Sequence, residues 1–142
     1  MDLGLKDKVV IVTGGGKGIG EGIVKVLAEE GAIPVIVGRN GQDNLKVVAH
    51  VEASGLNVGQ VVAELTKPAE CESAIQQVIE QFGRIDGLVN NAGVNDGVGL
   101  ESGDYERFVA SLHKNLIHYY LMAHHALPYL KESKGPIVNI GS

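Results

Sequence analysis

Residues 13–20 read Thr-Gly-Gly-Gly-Lys-Gly-Ile-Gly, directly after the apolar run Val9-Val10-Ile11-Val12. A glycine loop between a buried strand and a helix is a phosphate cradle. The glycines remove the side chains that would hold a phosphate off the backbone. The helix that follows offers free N–H groups and the positive end of its dipole. Five glycines in the seven residues 14–20 cost chain entropy with no packing return, so a ligand is the better account than an empty turn. The spacing is Thr13-Gly14-x-x-x-Gly18-x-Gly20. No register satisfies the common Gly-x-Gly-x-x-Gly fingerprint, and no Gly-Lys-Ser/Thr closes a P-loop. The loop implies a nucleotide cofactor, with Gly16, Lys17 and Ile19 inside it.

The rest of the chain alternates apolar runs with helical patterns, which signals βαβ units and a parallel sheet. Strands are expected over 9–12, 33–37, 58–63, 85–89 and 137–140. Helices are expected over 19–30, 45–53, a stretch carrying Ala74, Ile75, Val78, Ile79 and Phe82, and one long run over 105–130. Gly31, Gly55 and Gly83 stop the first three helices. Thr66 is expected to cap the third, with Pro68 in its first turn. With 142 residues and 44% hydrophobic content, the chain suits one globular domain, residues 1–142. Its net charge of −5 argues against a nucleic-acid partner. No apolar stretch is long enough for a bilayer, and no signal-peptide pattern opens the chain. Cys71 alone cannot form an internal disulfide and fits a reducing, cytoplasmic compartment. Ending on the strand-like Ile140-Gly141-Ser142, the chain is expected to continue in a longer protein.

The second strand ends in Gly38-Arg39-Asn40, with no carboxylate to hold a ribose 2′-hydroxyl. Arg39 can instead meet a 2′-phosphate as a bidentate donor, with Lys17 as a second cation. NADP is therefore expected over NAD, and Arg39 and Asn40 join the cofactor set. After the fourth strand come Asn90-Asn91-Ala92-Gly93, then Asn95 and Asp96. An amide and a carboxylate suit the hydroxyls of a sugar, although Asn-Asp-Gly is also ordinary turn chemistry. His113, His118, His124 and His125 lack the spacing for one metal, so no metal is expected and solvated or subunit-facing histidines are. Cys71 reads as packing.

Four motifs in order, Thr13-Gly14-x-x-x-Gly18-x-Gly20, Asn90-Asn91-Ala92-Gly93, Asn115 and Ile137-Val138-Asn139-Ile140-Gly141-Ser142, resemble the short-chain dehydrogenase/reductase family over the whole chain. The stretches 87–96, 108–112 and 115–120 look most like its L-fucose dehydrogenase branch. The resemblance implies a doubly wound, Rossmann-like parallel sheet with helices on both faces and strand order 3-2-1-4-5. It implies an oxidoreductase with a small-molecule substrate and NAD(P), and a homo-oligomer, a tetramer by family habit. It gives Asn115 and Ser142 catalytic positions. Asn91, Ala92 and Gly93 would line the adenosine side, with Glu64 and Leu65 beside the adenine. Glu64 stands where the family usually has Asp. The family's Tyr-x-x-x-Lys pair does not occur in this chain. A sugar or small polar alcohol, L-fucose-like first, is the expected substrate. A non-catalytic NADP(H)-binding module, or a keto-acyl or steroid reductase, is the alternative. The long helix carries Leu116, Ile117, Tyr119, Tyr120, Leu121, Met122, Ala123 and Leu127 around much of its circumference, which asks for cover on more than one side.

Overall fold

The computed structural model describes residues 2–141. Five strands form one sheet: β1 (Val9–Thr13), β2 (Ile33–Gly38), β3 (Gly59–Val62), β4 (Gly87–Asn90) and β5 (Ile137–Asn139). Every pairing is parallel and the order is β3-β2-β1-β4-β5, so the doubly wound sheet expected of the sequence is present. The chain reverses direction across the sheet between β1 and β4. In such sheets, ligands bind beyond the carboxyl ends of the strands at that point.

Alternation along β1 builds two cores. Val9 and Ile11 face one side and pack with Ile75 and Val78 of α3 (Pro68–Phe82) and with Met122, Ala126 and Leu130 of α5 (Ile117–Ser133). Val10 and Val12 face the other side, against Val24 and Ala28 of α1 (Gly18–Glu29) and Val47 and Val51 of α2 (Gly41–Ala53). Both faces of the central strands are covered, which is why they read as continuous apolar runs. The edge strand β5 differs, with Ile137 at 40% and Val138 at 46% exposure. Among the described residues, no helix is long and apolar enough to cross a membrane.

Three expectations are corrected. The run over 105–130 is two helices, α4 (Tyr105–Asn115) and α5, broken at Leu116, whose φ of −131° and ψ of −49° leave the helical ladder. Side chains compete with the backbone there: Asn115 Nδ2 donates to Ser111 O at 3.1 Å, and His118 Nε2 donates to Lys114 O at 2.8 Å. Thr66 does not cap α3. Lys67 holds the N-cap position, and the Thr66 hydroxyl donates to Glu64 Oε1 instead. The second helix begins at Gly41 rather than 45, because Asn40 Oδ1 accepts the Asp43 N–H at 3.1 Å and caps a full extra turn.

Candidate functional site

The carboxyl ends of β1, β2 and β4 and the turn after β3 open on one cleft of about 410 Å³. From the glycine loop, Gly14, Gly16, Lys17, Gly18 and Ile19 line it, and from the end of β2, Arg39 and Asn40 do. Glu64 and Leu65 come from the turn after β3, and Asn91, Ala92 and Gly93 from the turn after β4. Residues 50 or more apart in sequence thus share one wall.

Backbone requirements shape the loop. Gly14 sits at φ +67° and Gly18 at φ +59°, the left-handed region that disfavours a side chain. A Cβ on Gly14 would stand 2.9 Å from Ala92 Cα, so the β1 and β4 turns touch there. A Cβ on Gly20 would fall on the Gly14 carbonyl oxygen, so only glycine lets α1 start this close beneath the loop. Gly18 is different: nothing lies within 4 Å of an added Cβ, and the space belongs to the cleft. The start of α1 has no side-chain cap, which leaves its first N–H groups open to an anion.

Thr13 and Asn91 lock the two turns together from behind. The buried Thr13 Oγ1 accepts the N–H groups of Asn91 at 2.9 Å and Ala92 at 3.0 Å. In return, Asn91 Nδ2 donates to Thr13 O at 3.1 Å and Gly14 O at 3.4 Å. Asn90 ties β4 to its neighbours through Tyr119 O and Asn139 Oδ1. Asp86 anchors the opposite end of the sheet. Burial pushes its carboxyl up, but the Arg84 guanidinium and the Val9 N–H outweigh burial and hold it below the ordinary range.

Charge in the cleft is mixed. Lys17, Arg39 and Lys114 face Asp43 and Glu64. Among the described residues, none of the three cations is in an ion pair. Glu64 Oε1 is taken up by the Thr66 N–H and hydroxyl, which fixes the turn after β3. The Asn40 side chain is spent on its cap, so it meets the cleft while serving α2.

Asn115, Asn95 and Asp96 are not part of the cleft lining. Asn115 ends α4, where its Oδ1 accepts the Val94 N–H at 2.7 Å. It therefore holds the strand-four turn, and the same oxygen stands 2.8 Å from where a Cβ on Gly93 would be. Asn95 Oδ1 accepts the Gly97 N–H at 3.3 Å, and Asp96 Oδ1 accepts the Ser111 hydroxyl at 3.1 Å, as ordinary turn and tether chemistry. Ser142 lies outside the described residues. Cys71 is buried in α3, and burial together with Glu70 pushes its thiol up to about 11, which suits packing and not nucleophilic work.

Sequence reasoning missed Asn44, Lys114 and His118, which all line the cleft. His118 is 2% exposed, contrary to the expectation of a solvated or subunit-facing histidine. A carbonyl can only accept, so Nε2 carries the proton toward Lys114 O, and Nδ1 is left buried without a partner among the described residues. Burial lowers the His118 pKa against the opposing pull of the Lys114 carbonyl and Glu64. The signal for these residues was tertiary: none of the three belongs to a local motif.

A dinucleotide fits this donor set. The uncapped helix start and the open space at Gly18 suit a pyrophosphate, and unpaired Lys17 and Arg39 suit a further phosphate.

Comparison with known proteins agrees. The sequence model of the family described as short chain dehydrogenase matches residues 8–142. A 12alpha-hydroxysteroid dehydrogenase of a Clostridium species is 37% identical over 143 residues, covering 95% of this chain and 55% of that protein. L-fucose dehydrogenase of Bos taurus is 35% identical over 136 residues, covering 95% of this chain and 49% of that protein. The chain spans about half the length of these curated relatives. A metagenomic short-chain oxidoreductase crystallised in complex with NADP superposes with a TM-score of 0.90 at 30% identity, over 97% of this chain and 63% of that one.

Proposed function

The chain belongs to the short-chain dehydrogenase family, and from that premise we propose that it is part of an oxidoreductase that holds NADP(H) in this cleft and acts on a sugar or other small polar alcohol. When bound, the nicotinamide would supply the hydride acceptor or donor. The chain's own residues supply the rest of what is visible. The glycine loop and the start of α1 hold the pyrophosphate, the tied turns of Thr13 and Asn91 keep water from the loop's back, and Arg39 and Lys17 bind the 2′-phosphate. One observation carries the cofactor choice: the end of β2 presents Arg39 and no carboxylate. The test is titration of the protein with NADP and NAD. Preference for NADP, reduced in Arg39→Ala, is expected. Equal affinities in the wild type would overturn the choice.

Support for the substrate class is the polarity of the turn after β4. Asp96 keeps its Oδ2 free of protein donors among the described residues, and Asn95 stands beside it. The L-fucose dehydrogenase relative points the same way. A steroid alcohol is the second reading, favoured by the 37% identity to a 12alpha-hydroxysteroid dehydrogenase. A panel of aldoses, steroids and keto-esters on the full-length protein, followed by nicotinamide absorbance, separates them; turnover of steroids or keto-esters alone would defeat the sugar reading. Asn115 and Ser142 keep their proposed catalytic positions, and a cytoplasmic site of action is part of the same reading. We assign the full-length protein to a homo-oligomer, a tetramer by family habit. Its support here is the outer face of α5 and the break before it, where Leu116 is 57%, Tyr120 69% and Leu127 42% exposed. A monomer mass by light scattering would refute it.

A further inference from the structure

Asn44 lies in the second turn of α2 and is only 1% exposed, yet it lines the cleft. Its Nδ2 donates to Gly38 O at 3.1 Å and to Gln60 Oε1 at 3.3 Å. The Gly38 carbonyl can only accept, which fixes the orientation of the Asn44 amide. Its Oδ1 then stands 2.6 Å from where a Cβ on Gly16 would be, and 2.8 Å from one on Gly38. One buried side chain therefore wedges against the residue before Lys17 and the residue before Arg39. Those two cations line the cleft, and neither is in an ion pair among the described residues. The chemistry of the amide is specific. Leucine would offer no donor to Gly38 O. Aspartate would offer none either, and would put a charge beside both cations.

We propose that Asn44 is a positioning residue for recognition of the 2′-substituent on the dinucleotide's ribose: it holds the end of β2 against the glycine loop and so sets the separation of Lys17 and Arg39. This rests on the reading that the cleft takes NADP(H). Long cationic side chains lose rotamer freedom when they close on a phosphate, and a fixed backbone at their roots lowers that cost. NAD has no phosphate there and gains nothing from the separation of the two cations. Loss of Asn44 therefore weakens NADP more than NAD.

Calorimetric titration with NADP and NAD tests this on the full-length chain as wild type, Asn44→Ala, Asn44→Asp, Arg39→Ala and the Asn44→Ala/Arg39→Ala double variant. Melting curves establish that each is folded. Arg39→Ala lowers the NADP-to-NAD affinity ratio by roughly tenfold, the scale of one charge-assisted hydrogen bond. Asn44→Ala lowers the ratio by about threefold to tenfold, with NADP weakened more than NAD, and lowers the ratio no further once Arg39 is absent, as expected of a residue that acts through another. Asn44→Asp keeps the side-chain size, lowers the ratio further, and is read in place of the alanine variant if that one does not fold. Equal weakening of both cofactors, or the same fall in ratio without Arg39, overturns the proposal. If the wild type binds neither cofactor, or Arg39→Ala leaves the ratio unchanged, the cofactor reading itself fails and the proposal falls with it.

Discussion

The turn after β1 and the turn after β4 leave adjacent parallel strands at the same edge of the sheet, yet they are built in opposite ways. The first is packed main chain on main chain, Gly14 against Ala92 and Gly20 against the Gly14 carbonyl, and is locked from behind by Thr13 and Asn91. The second, past Gly93, is held by polar side chains, its own and those of α4, at an exposed surface: Asn95 to Gly97, Asp96 to Ser111, Asn115 to Val94. A part that recognises the invariant portion of a cofactor gains from being rigid and made of main chain, whereas a part that meets a varied substrate gains from replaceable side chains. That contrast also matches the relatives, whose names carry substrates as different as a steroid and a sugar.

The contrast breaks or sharpens by substitution on each side. The largest effect is expected from Gly20→Ala, which drives a methyl group into a main-chain oxygen that cannot move aside. It should cost about 3 kcal/mol in urea unfolding, the upper range for overpacking. Gly97, at φ +67° with nothing within 4 Å of an added Cβ, is the partner test in the second turn. There Gly97→Ala meets backbone strain alone and should cost about 1 kcal/mol. Equal costs would erase the distinction. Next, Thr13→Val removes the acceptor of the part-buried N–H groups of Asn91 and Ala92, for about 2 kcal/mol by the same measurement. Asp96→Ala should leave stability within about 0.5 kcal/mol, since it removes one partly exposed tether. If sugars turn over, it should lower kcat/KM roughly tenfold, the scale of one hydrogen bond to a charged group.

The smallest effect concerns pH. His118 has its pKa lowered by burial in the folded chain, so the unfolded chain binds the extra proton more readily. Its contribution to stability is complete above the ordinary value of 6.5 and is lost as pH falls from there toward the folded value. The melting temperature of the wild type should therefore decline more steeply between pH 7 and 5 than that of His118→Gln, whose amide can still donate to Lys114 O without titrating. Parallel declines would mean that His118 does not titrate as described.

How much of this was legible in the sequence follows the same division. The β1 turn could be read because its function is carried by missing side chains, and a missing side chain is visible in a sequence as glycine. The βαβ units of the parallel sheet followed from apolar runs separated by helical periodicity, and the strand order from the resemblance to the family. The α4–α5 break was hidden because it depends on where the Asn115 and His118 side chains point, and apolar periodicity runs straight through Leu116. The extra turn of α2 was within reach: Asn40 three residues before Asp43 is a cap signature. So was the cap of α3, since proline at the first helical position makes Lys67, not Thr66, the residue before the helix. Asn44 was out of reach, because its meaning lies in contacts with Gly16, Gly38 and Gln60 that only the folded sheet creates.

The central claim is that the open space over Gly18 is where the cofactor's phosphates lie. Calorimetric titration of NADP into wild type and Gly18→Val tests it most directly. Nothing lies within 4 Å of an added Cβ at Gly18, so the variant's cost is backbone strain of about 1–3 kcal/mol, and it should keep a cooperative melt. The account predicts that wild type binds NADP and that folded Gly18→Val shows no detectable binding. A folded Gly18→Val variant that binds NADP as tightly as wild type would contradict it.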